Sequence, residues 1–348
     1  MEFARCGMKL GLLMMTAILA AGAQTSGAQA KKPVVTVGSD AQFKTVQEAV
    51  DAAPEQGEII RIAPGTYKEK LRIDKNGIEL RGTGALPKDV LLTYDDSAKS
   101  AGGTNKSFSV AVTGDDFYAE NLTIQNDWEK KNARMGEGAQ AVALMITGDR
   151  EVLRHVRLLG YQDTLYATSK LCHVPGDAGT VACHSSRQLF EDCYIEGHVD
   201  FIFGDSKAVF KDCEIHGMTH PVIALTAQSK AYPLEDSGYL FLHCTVTADV
   251  AVDKIYFGRP WRAYSTVYFI DTELKGSVIQ PEGWLEWKNT DGTGKLATST
   301  YGDYGTHDTN GPAETGKRIP PSKVLTKVEA DKLTVASWLE GWDAEKVR

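Results

Sequence analysis

Two aspartates in polar segments have the types and spacing needed for chemistry: Asp163 in GYQDTLY and Asp200 in VDFIFG. They stand 37 residues apart, and Gln140 stands 23 residues before Asp163. When a 14-residue excursion from Cys172 to Ser185 is set aside, both intervals become 23 residues. Equal intervals are typical of stacked structural repeats, so we expect the three side chains to stack on one face.

This stacking limits the chemistry that the two carboxyl groups can perform. Neighbouring strands lie roughly 5 Å apart, and two carboxyl groups at that distance cannot both ionise easily. One serves as a carboxylate nucleophile and the other as a carboxylic general acid, the pair needed to break an ester or a glycosidic bond. In the segment GRPWRAYS, Arg259 can hold one carboxylate ionised and Trp261 can stack on a sugar. A solvated or purely structural pair is the alternative.

The elements that must position these residues are short strands in an irregular internal repeat. The segment FEDCYIEG at 190–197 matches FKDCEIHG at 210–217 at five of eight positions. A unit of twenty-odd residues with one strand cannot bury its own apolar face, but stacked units form a continuous core. We therefore predict an all-β fold, a right-handed parallel β-helix that is a single-stranded solenoid.

The ends of such a solenoid need covering, and two capping boxes predict short helices there. The first helix opens at Thr45 and reaches Ala53, and we place it over the N-terminal end. The second opens at Thr326 and reaches about Leu339, along the flank. Alignment of the repeats places five further residues in one ladder of stacked side chains: Asn121, His155, Cys193, Cys213 and Cys244.

The N-terminus predicts export from the cytoplasm. Residues 1–30 combine Arg5 and Lys9 with an apolar run and small residues, which is typical of a signal peptide. We predict a secreted or periplasmic protein with a single β-helix domain at 31–348. Loss of Glu2, Arg5 and Lys9 changes the formal charge from −8 to −9, an acidic balance that disfavours nucleic acid as a partner.

The cysteines indicate disulfides and not a metal site. In an oxidising compartment Cys172 and Cys183 bracket the excursion, and we predict a disulfide between them. Cys193 with Cys213 is the rival pairing, since neighbouring coils lie within disulfide range, and the two bonds can coexist. The sequence has neither a Cys-x-x-Cys motif nor a His cluster with metal-ligand spacing, so no metal is expected.

Taken together, the segments resemble those of the pectin methylesterase (pectinesterase) family, carbohydrate esterases that remove methyl groups from the galacturonate carboxyls of pectin. Five segments stand in family order: GTYKE at 65–69, QAVAL at 140–144, GYQDTLY at 160–166, VDFIFG at 199–204 and GRPW at 258–261. The resemblance covers nearly all of residues 35–342 and implies a bacterial-type secreted member.

The resemblance implies a role for each matching residue. Asp200 is the nucleophile, and Asp163 is the acid that protonates departing methanol and then activates water. Gln140 and Gln162 donate to the oxyanion, while Arg259 orients Asp200 and keeps the pKa of its carboxyl low. Four aromatic side chains are expected to line the sugar subsites: Phe201, Trp261, Tyr161 and Tyr166. Pectin is the implied partner, no cofactor is needed, and we expect a monomer.

Two features depart from the family pattern, and two other function classes stay open. His198 replaces the usual threonine, and we interpret it as a surface histidine; the excursion 171–186 is expected to lengthen one wall of the groove. A β-helix glycosidase or lyase is one alternative, but glutamines beside the aspartates favour acyl chemistry. A non-catalytic carbohydrate-binding solenoid is the other, and the presence of both aspartates, both glutamines and Arg259 argues against it.

Overall fold

The structure is a computed structural model that describes residues 1, 32–132, 138–170, 172, 179–249, 254–276 and 279–347. Residues 32–348 make one compact unit. The predicted signal peptide, residues 1–30, lies outside the described residues apart from Met1. Among the residues that the structure describes, no helix has the length and apolar character needed to cross a bilayer.

Short strands stack coil upon coil into two sheets, with parallel pairing between successive coils. The larger of the two is here called the long sheet. The smaller one, here called the cleft sheet, has seven strands in the described ranges: Leu71–Ile73, Val110–Val112, Leu144–Ile146, Leu165–Ala167, Val199–Gly204, Ile223–Gln228 and Ile255–Gly258. The long sheet has 19 described strands: Val34–Val37, Ile59–Ile62, Gly65–Lys68, Glu79–Gly82, Val90–Tyr94, Tyr118–Asn126, Glu151–Leu159, Arg187–Glu191, Tyr194–Gly197, Lys207–Lys211, Glu214–Gly217, Gly238–Leu242, Thr245–Ala248, Thr266–Ile270, Glu273–Lys275, Thr300–Tyr304, His307–Asp308, Gly311–Pro312 and Lys323–Val324. A separate pairing joins Cys183–His184 to Glu235–Asp236. The predicted parallel β-helix is confirmed.

One apolar interior runs along the stack because each coil turns alternate apolar side chains into it. The two matching segments pair in register, with Phe190 opposite Phe210. Phe241 and Phe269 continue this column, and successive ring centroids from Phe210 onward are 4.4 Å and 4.1 Å apart. The sequence repeat is therefore the coil of the solenoid.

The predicted ladder of Asn121, His155 and cysteines is wrong by one residue. The strand register places His155 opposite Asn121 and Asp192, and not opposite Cys193. Asn121, His155 and Asp192 have φ angles of 54°, 50° and 52°, a left-handed turn in which these polar residue types are enriched. The cysteines stand one residue later, buried in the core. A shift of one residue is enough to exchange the two faces of a strand.

The structure has a disulfide between Cys172 and Cys183, whose Cα atoms are 5.4 Å apart. The rival pairing of Cys193 with Cys213 is wrong, because both cysteines are free and buried. Each of these two cysteines stands between two strands, and the flanking strands of the two coils pair in parallel register, so the side chains point the same way and not at each other. Each thiol donates to a main-chain carbonyl instead, as Cys213 Sγ does to Phe190 O at 3.4 Å.

Short helices cover the stack, as predicted, but the second one is broken. Thr45 caps the helix Val46–Ala52 through a capping box, and its apolar side packs into the core. At the flank, a second cap at Thr334 divides the expected single helix into two. The remaining described helices are short: Ala98–Ala101, Trp128–Asn132, Lys327–Ala330 and Val335–Trp338, with 3₁₀ turns at Pro87–Asp89, Thr104–Lys106, Leu296–Thr298 and Ala344–Lys346.

Candidate active site

An open cleft of about 550 Å³ lies against the cleft sheet. Side chains from successive strands of this sheet, and from the loops between them, form its walls. The lining residues are Thr104, Asn105, Gln140, Gln162, Asp163, Tyr166, Asp200, Phe203, Ala227, Arg259, Trp261 and Trp287. All five predicted catalytic residues are in this set, so the fold brings together residues that are up to 119 positions apart in the chain.

The strand register sets Asp163 and Asp200 side by side. Leu165 pairs with Ile202, an offset of 37 residues that the two aspartates share. Both have left-handed backbones, with φ of 65° and 55°. Such a conformation costs energy in a residue other than glycine and is found where the surrounding structure imposes it, often at functional sites.

Arg259 binds Asp200 through two parallel hydrogen bonds. Its Nε donates to Oδ1 at 2.8 Å and its Nη2 donates to Oδ2 at 2.7 Å. This bidentate geometry is the strong form of the arginine–carboxylate pair. Arg259 can follow its strand so closely because Gly258 precedes it: a Cβ there would lie 2.0 Å from Thr226 Oγ1. The glycine of the GRPW segment therefore permits the approach of Arg259.

Burial and charge act differently on the two carboxyl groups. Burial first, and then the charge of Asp200, raises the pKa of Asp163 well above its ordinary value. Burial also raises the pKa of Asp200, while the bonds to Arg259 oppose that rise. The expectation of a low pKa for Asp200 is therefore wrong, because desolvation outweighs the guanidinium. Asp163 has no hydrogen-bonded cation in the described part of the chain, so it is the more readily protonated member.

Two glutamines line the cleft together with this pair. Leu144 pairs with Leu165, an offset of 21 residues and not the expected 23. Gln140 therefore stands two residues out of register with Asp163, yet its side chain still reaches the cleft, as does that of Gln162. The two segments are joined by a hydrogen bond from Ala141 N–H to Gln162 O at 3.2 Å. Amide donors next to the carboxylates suit an oxyanion that forms between them.

The aromatic wall differs from the prediction at two positions. Trp261 and Tyr166 line the cleft as expected, whereas Phe201 is fully buried in the core and Tyr161 lies outside the lining set. Phe203 takes the place of Phe201 and stacks on Tyr166 with ring centroids 4.3 Å apart. The pairing of the Val199–Gly204 strand shifts register after Val199, which turns two successive side chains inward.

Trp287 is a lining residue that the sequence analysis missed. The centroid of its ring lies 4.3 Å from the guanidinium carbon of Arg259 and 4.9 Å from Lys295 Nζ, so the ring contacts both cations. The signal was present in the segment EGWLEW, a second tryptophan-rich loop after GRPW. The segment holds two tryptophans, and the sequence alone does not indicate which one faces the cleft. Trp284 is buried in the core.

Comparison with known proteins identifies the family. A family model described as Pectinesterase matches residues 32–342. The chain belongs to the pectinesterase family. Probable pectinesterase/pectinesterase inhibitor 64 of Arabidopsis thaliana is 33% identical over 328 residues, which cover 87% of this chain and 50% of that protein. Pectinesterase 31 of the same plant is 31% identical over 319 residues, covering 88% of this chain and 91% of the relative.

A solved structure agrees with the sequence match. The pectin methylesterase from carrot superposes with a TM-score of 0.77 at 30% identity, covering 91% of this chain and 97% of that one. This pectinesterase-family chain thus spans about half the length of the first relative named above and nearly all of the carrot structure. The match extends over the whole stack of coils and not over the site alone.

His198 of this pectinesterase-family chain is a buried residue, which corrects the interpretation as a surface histidine. Its exposed fraction is 2%, and its ring stacks on His220 with centroids 4.7 Å apart. Its Nε2 lies 3.0 Å from Glu129 Oε1. A buried histidine–glutamate pair therefore adjoins the start of the strand that carries Asp200.

The excursion packs away from the cleft, and none of its described residues is among the lining residues. Cys183 and His184 instead form a short parallel pairing with Glu235–Asp236. The expectation that it lengthens a wall of the groove is not met by its described part. His184, Asp236 and Glu340 are the one described group with metal-ligand geometry, but the ammonium of Lys207 already contacts both carboxylates.

Proposed function

We propose that this chain hydrolyses methyl esters on the galacturonate residues of pectin, releasing methanol and leaving de-esterified pectin. One observation carries the proposal: Asp200, hydrogen-bonded to Arg259, lies in an open cleft beside Asp163, whose carboxyl has no hydrogen-bonded cation among the described residues. Its relatives named pectinesterase, and the structural neighbour named pectin methylesterase, support this choice among ester and glycoside chemistries.

In the first half of the reaction, the Asp200 carboxylate attacks the carbonyl carbon of the ester. Negative charge moves to the carbonyl oxygen, where the amides of Gln140 and Gln162 donate hydrogen bonds. As the tetrahedral intermediate collapses, Asp163 protonates the methoxy oxygen and methanol leaves. An anhydride then joins Asp200 to the galacturonate carboxyl group.

In the second half, Asp163 is ionised and takes a proton from water. The hydroxide formed attacks the galacturonyl carbon of the anhydride, and the Asp200 carboxylate departs. Asp163 is protonated again, so both aspartates return to their starting states. Trp261, Tyr166 and Phe203 would hold the sugar rings by stacking.

The proposal extends to the setting of the enzyme. We place it outside the cytoplasm, secreted or periplasmic, as a bacterial-type enzyme that acts as a monomer without metal or other cofactor. The signal-peptide pattern at 1–30 supports export, and so does a disulfide, which persists in oxidising compartments. Mass spectrometry of the exported protein, reading its new N-terminus, tests this part.

Methanol release from highly methylated pectin is the decisive measurement, followed together with chain shortening and unsaturated products. We expect methanol and neither of the other two. Asp200→Asn should reduce turnover to background because it removes the nucleophile, while binding of pectin should survive through the aromatic wall. A folded Asp200→Asn variant with near wild-type methanol release would contradict the mechanism, and chain shortening by the wild type would indicate a glycosidase.

A further inference from the structure

His198 is a buried titratable side chain that the mechanism leaves unused. It stands two residues before Asp200, in the bend between the strands Tyr194–Gly197 and Val199–Gly204. Its own N–H donates to Tyr161 O at 3.0 Å, and its carbonyl accepts from Ala224 N–H at 3.1 Å. The backbone of His198 is therefore tied to the coils on both sides.

The hydrogen bonds of the ring identify its protonation state. The N–H of Val199 donates to Nδ1 at 2.8 Å, so Nδ1 is an acceptor and carries no proton. The proton of the neutral ring is then on Nε2, which donates to Glu129 Oε1 at 3.0 Å. Each ring nitrogen thus has a separate partner, one on the catalytic strand and one on another coil.

Glu129 belongs to the short helix Trp128–Asn132, which follows the strand Tyr118–Asn126 and precedes Gln140 in the chain. Its side chain is largely buried, and its second oxygen, Oε2, has no hydrogen-bond partner in the described part of the structure. The bond to His198 is therefore the main polar attachment of this carboxylate.

We propose that His198 is a positioning residue whose neutral ring holds the Val199–Asp200 backbone through Nδ1 and the Trp128–Asn132 helix through Nε2–H. Protonation turns Nδ1 into a donor that faces the donor N–H of Val199, so the first bond is lost while the second gains charge. The strand that carries the nucleophile is then released at acid pH. This inference rests on the proposed esterase function and adds a control on the acid side of its activity.

Three titratable groups face His198: Glu129, His220 and Tyr161. Glu129 faces it from the helix, with Oε1 3.0 Å from Nε2. Burial, and to a smaller degree His198, lowers the pKa of His220, the stacked ring. Burial and the Glu129 carboxylate raise the pKa of Tyr161, whose ring centroid is 6.1 Å away, so it stays neutral.

Two variants separate the two bonds. His198→Asn places an oxygen where Nδ1 stands, so it accepts from Val199 at every pH but loses Glu129. His198→Gln reaches toward Glu129 but withdraws the acceptor from Val199. We expect His198→Asn to lower kcat about threefold at neutral pH and to make the acid limb of the kcat profile less steep, leaving the part that is due to protonation of Asp200. We expect His198→Gln to lower kcat about tenfold at every pH, with KM within about twofold.

Glu129→Gln and an exposed control complete the test. Glu129→Gln keeps an oxygen that can accept from Nε2–H and removes only its charge, so the rate at neutral pH should be kept. His243→Asn, at an exposed left-handed turn of the long sheet, should change neither rate nor limb. An unchanged acid limb in His198→Asn, or equal profiles for His198→Asn and His198→Gln, would overturn the proposal.

A measurement on the wild-type protein separates this inference from the proposed function. Nitrogen-15 NMR of labelled histidine, with His198 assigned from its variants, should show an acceptor-type Nδ1 and a protonated Nε2 at neutral pH. This result does not depend on catalysis. The opposite tautomer would overturn the positioning role, whereas absence of methanol release by the wild type would overturn the esterase proposal.

Discussion

At the scale of single residues, environment and not residue type separates Asp163 from Asp200. Both are buried aspartates in left-handed turns one coil apart. Arg259 donates two hydrogen bonds to Asp200, whereas burial and the charge of Asp200 affect the pKa of Asp163 more than the charge of Arg259 does. The same two carboxyl groups can therefore serve as nucleophile and acid in one cycle.

Asp163→Asn should lower methanol release by about 10²–10⁴-fold, because attack by Asp200 is kept while proton transfer is lost. In the wild type, activity should also fall as pH rises through the raised pKa of Asp163, since the acid that protonates methanol is then ionised. Initial rates across pH measure both effects. Asp212→Asn, at an exposed turn, is the matched control and should keep its activity. If Asp163→Asn kept the same alkaline limb of the pH profile as the wild type, the assignment of Asp163 as the acid would be contradicted.

Phe203 and Phe201 offer a contrast within one strand. Phe203→Ala should raise KM about three- to tenfold, because an aromatic contact is worth about 0.5–1.5 kcal/mol. Phe201→Ala should instead lower the free energy of unfolding by about 3–5 kcal/mol, since its ring is fully buried in the core. Pectin kinetics and urea unfolding of both variants check this. The reverse pattern would mean that Phe201 faces the sugar.

At the scale of elements, the helices and the excursion are too short to be stable alone and depend on the stack. The described helices have at most seven residues, and three of them bury apolar side chains in the core: Val46–Ala52, Lys327–Ala330 and Val335–Trp338. The excursion is tied down by its disulfide and by the pairing of Cys183–His184 with Glu235–Asp236. Its described residues reach neither Asp163 nor Asp200.

Replacing Cys172 and Cys183 together by serine should lower the free energy of unfolding by about 2–3 kcal/mol, as expected for a short loop closed by a disulfide. The value of kcat/KM on pectin should stay within about twofold of the wild type, because the described part of the excursion does not line the cleft. Thermal unfolding and methanol release measure the two effects. A raised KM in this variant would instead indicate that the excursion forms part of the groove wall.

At the scale of the whole molecule, stacking buries charged groups as well as apolar ones. Glu151 is fully buried at the start of a long-sheet strand, and neither carboxyl oxygen has a partner among the described residues. Burial, and then Asp115 and Asp116, raises the pKa of Glu151 well above its ordinary value. Folding therefore favours the protonated form of this carboxyl.

Glu151 should make the fold less stable at alkaline pH. Because its pKa is raised on folding, its favourable contribution is complete below the unfolded value of about 4.3 and is lost as pH rises through the folded value. Glu151→Gln should therefore become more stable relative to the wild type at high pH, by about 1–3 kcal/mol. Urea unfolding at about pH 5 and about pH 9 measures the difference, with exposed Glu55→Gln as control. Equal pH dependence in wild type and Glu151→Gln would refute the argument.

The internal repeat is visible in the sequence alone, and this repeat determines most of the fold. FEDCYIEG and FKDCEIHG have one solution for their apolar residues, a stack, because neither can bury them alone. The spacing of Asp163 and Asp200 then predicts their meeting, since an interval of whole coils returns a side chain to the same face. The cap at Thr45 is equally local, as it depends on residues three apart.

Tertiary structure decided what depends on register and on contacts between distant coils. A local shift in pairing exchanged Phe201 for Phe203 at the cleft, and one residue of register separated the cysteines from Asn121 and His155. Burial, which no segment reveals by itself, raised the pKa of Asp200 despite Arg259 and placed His198 against Glu129. The spacing of two residues can be counted in the sequence. Their desolvation, and the face of the strand to which each side chain points, depend on the coils that pack around them.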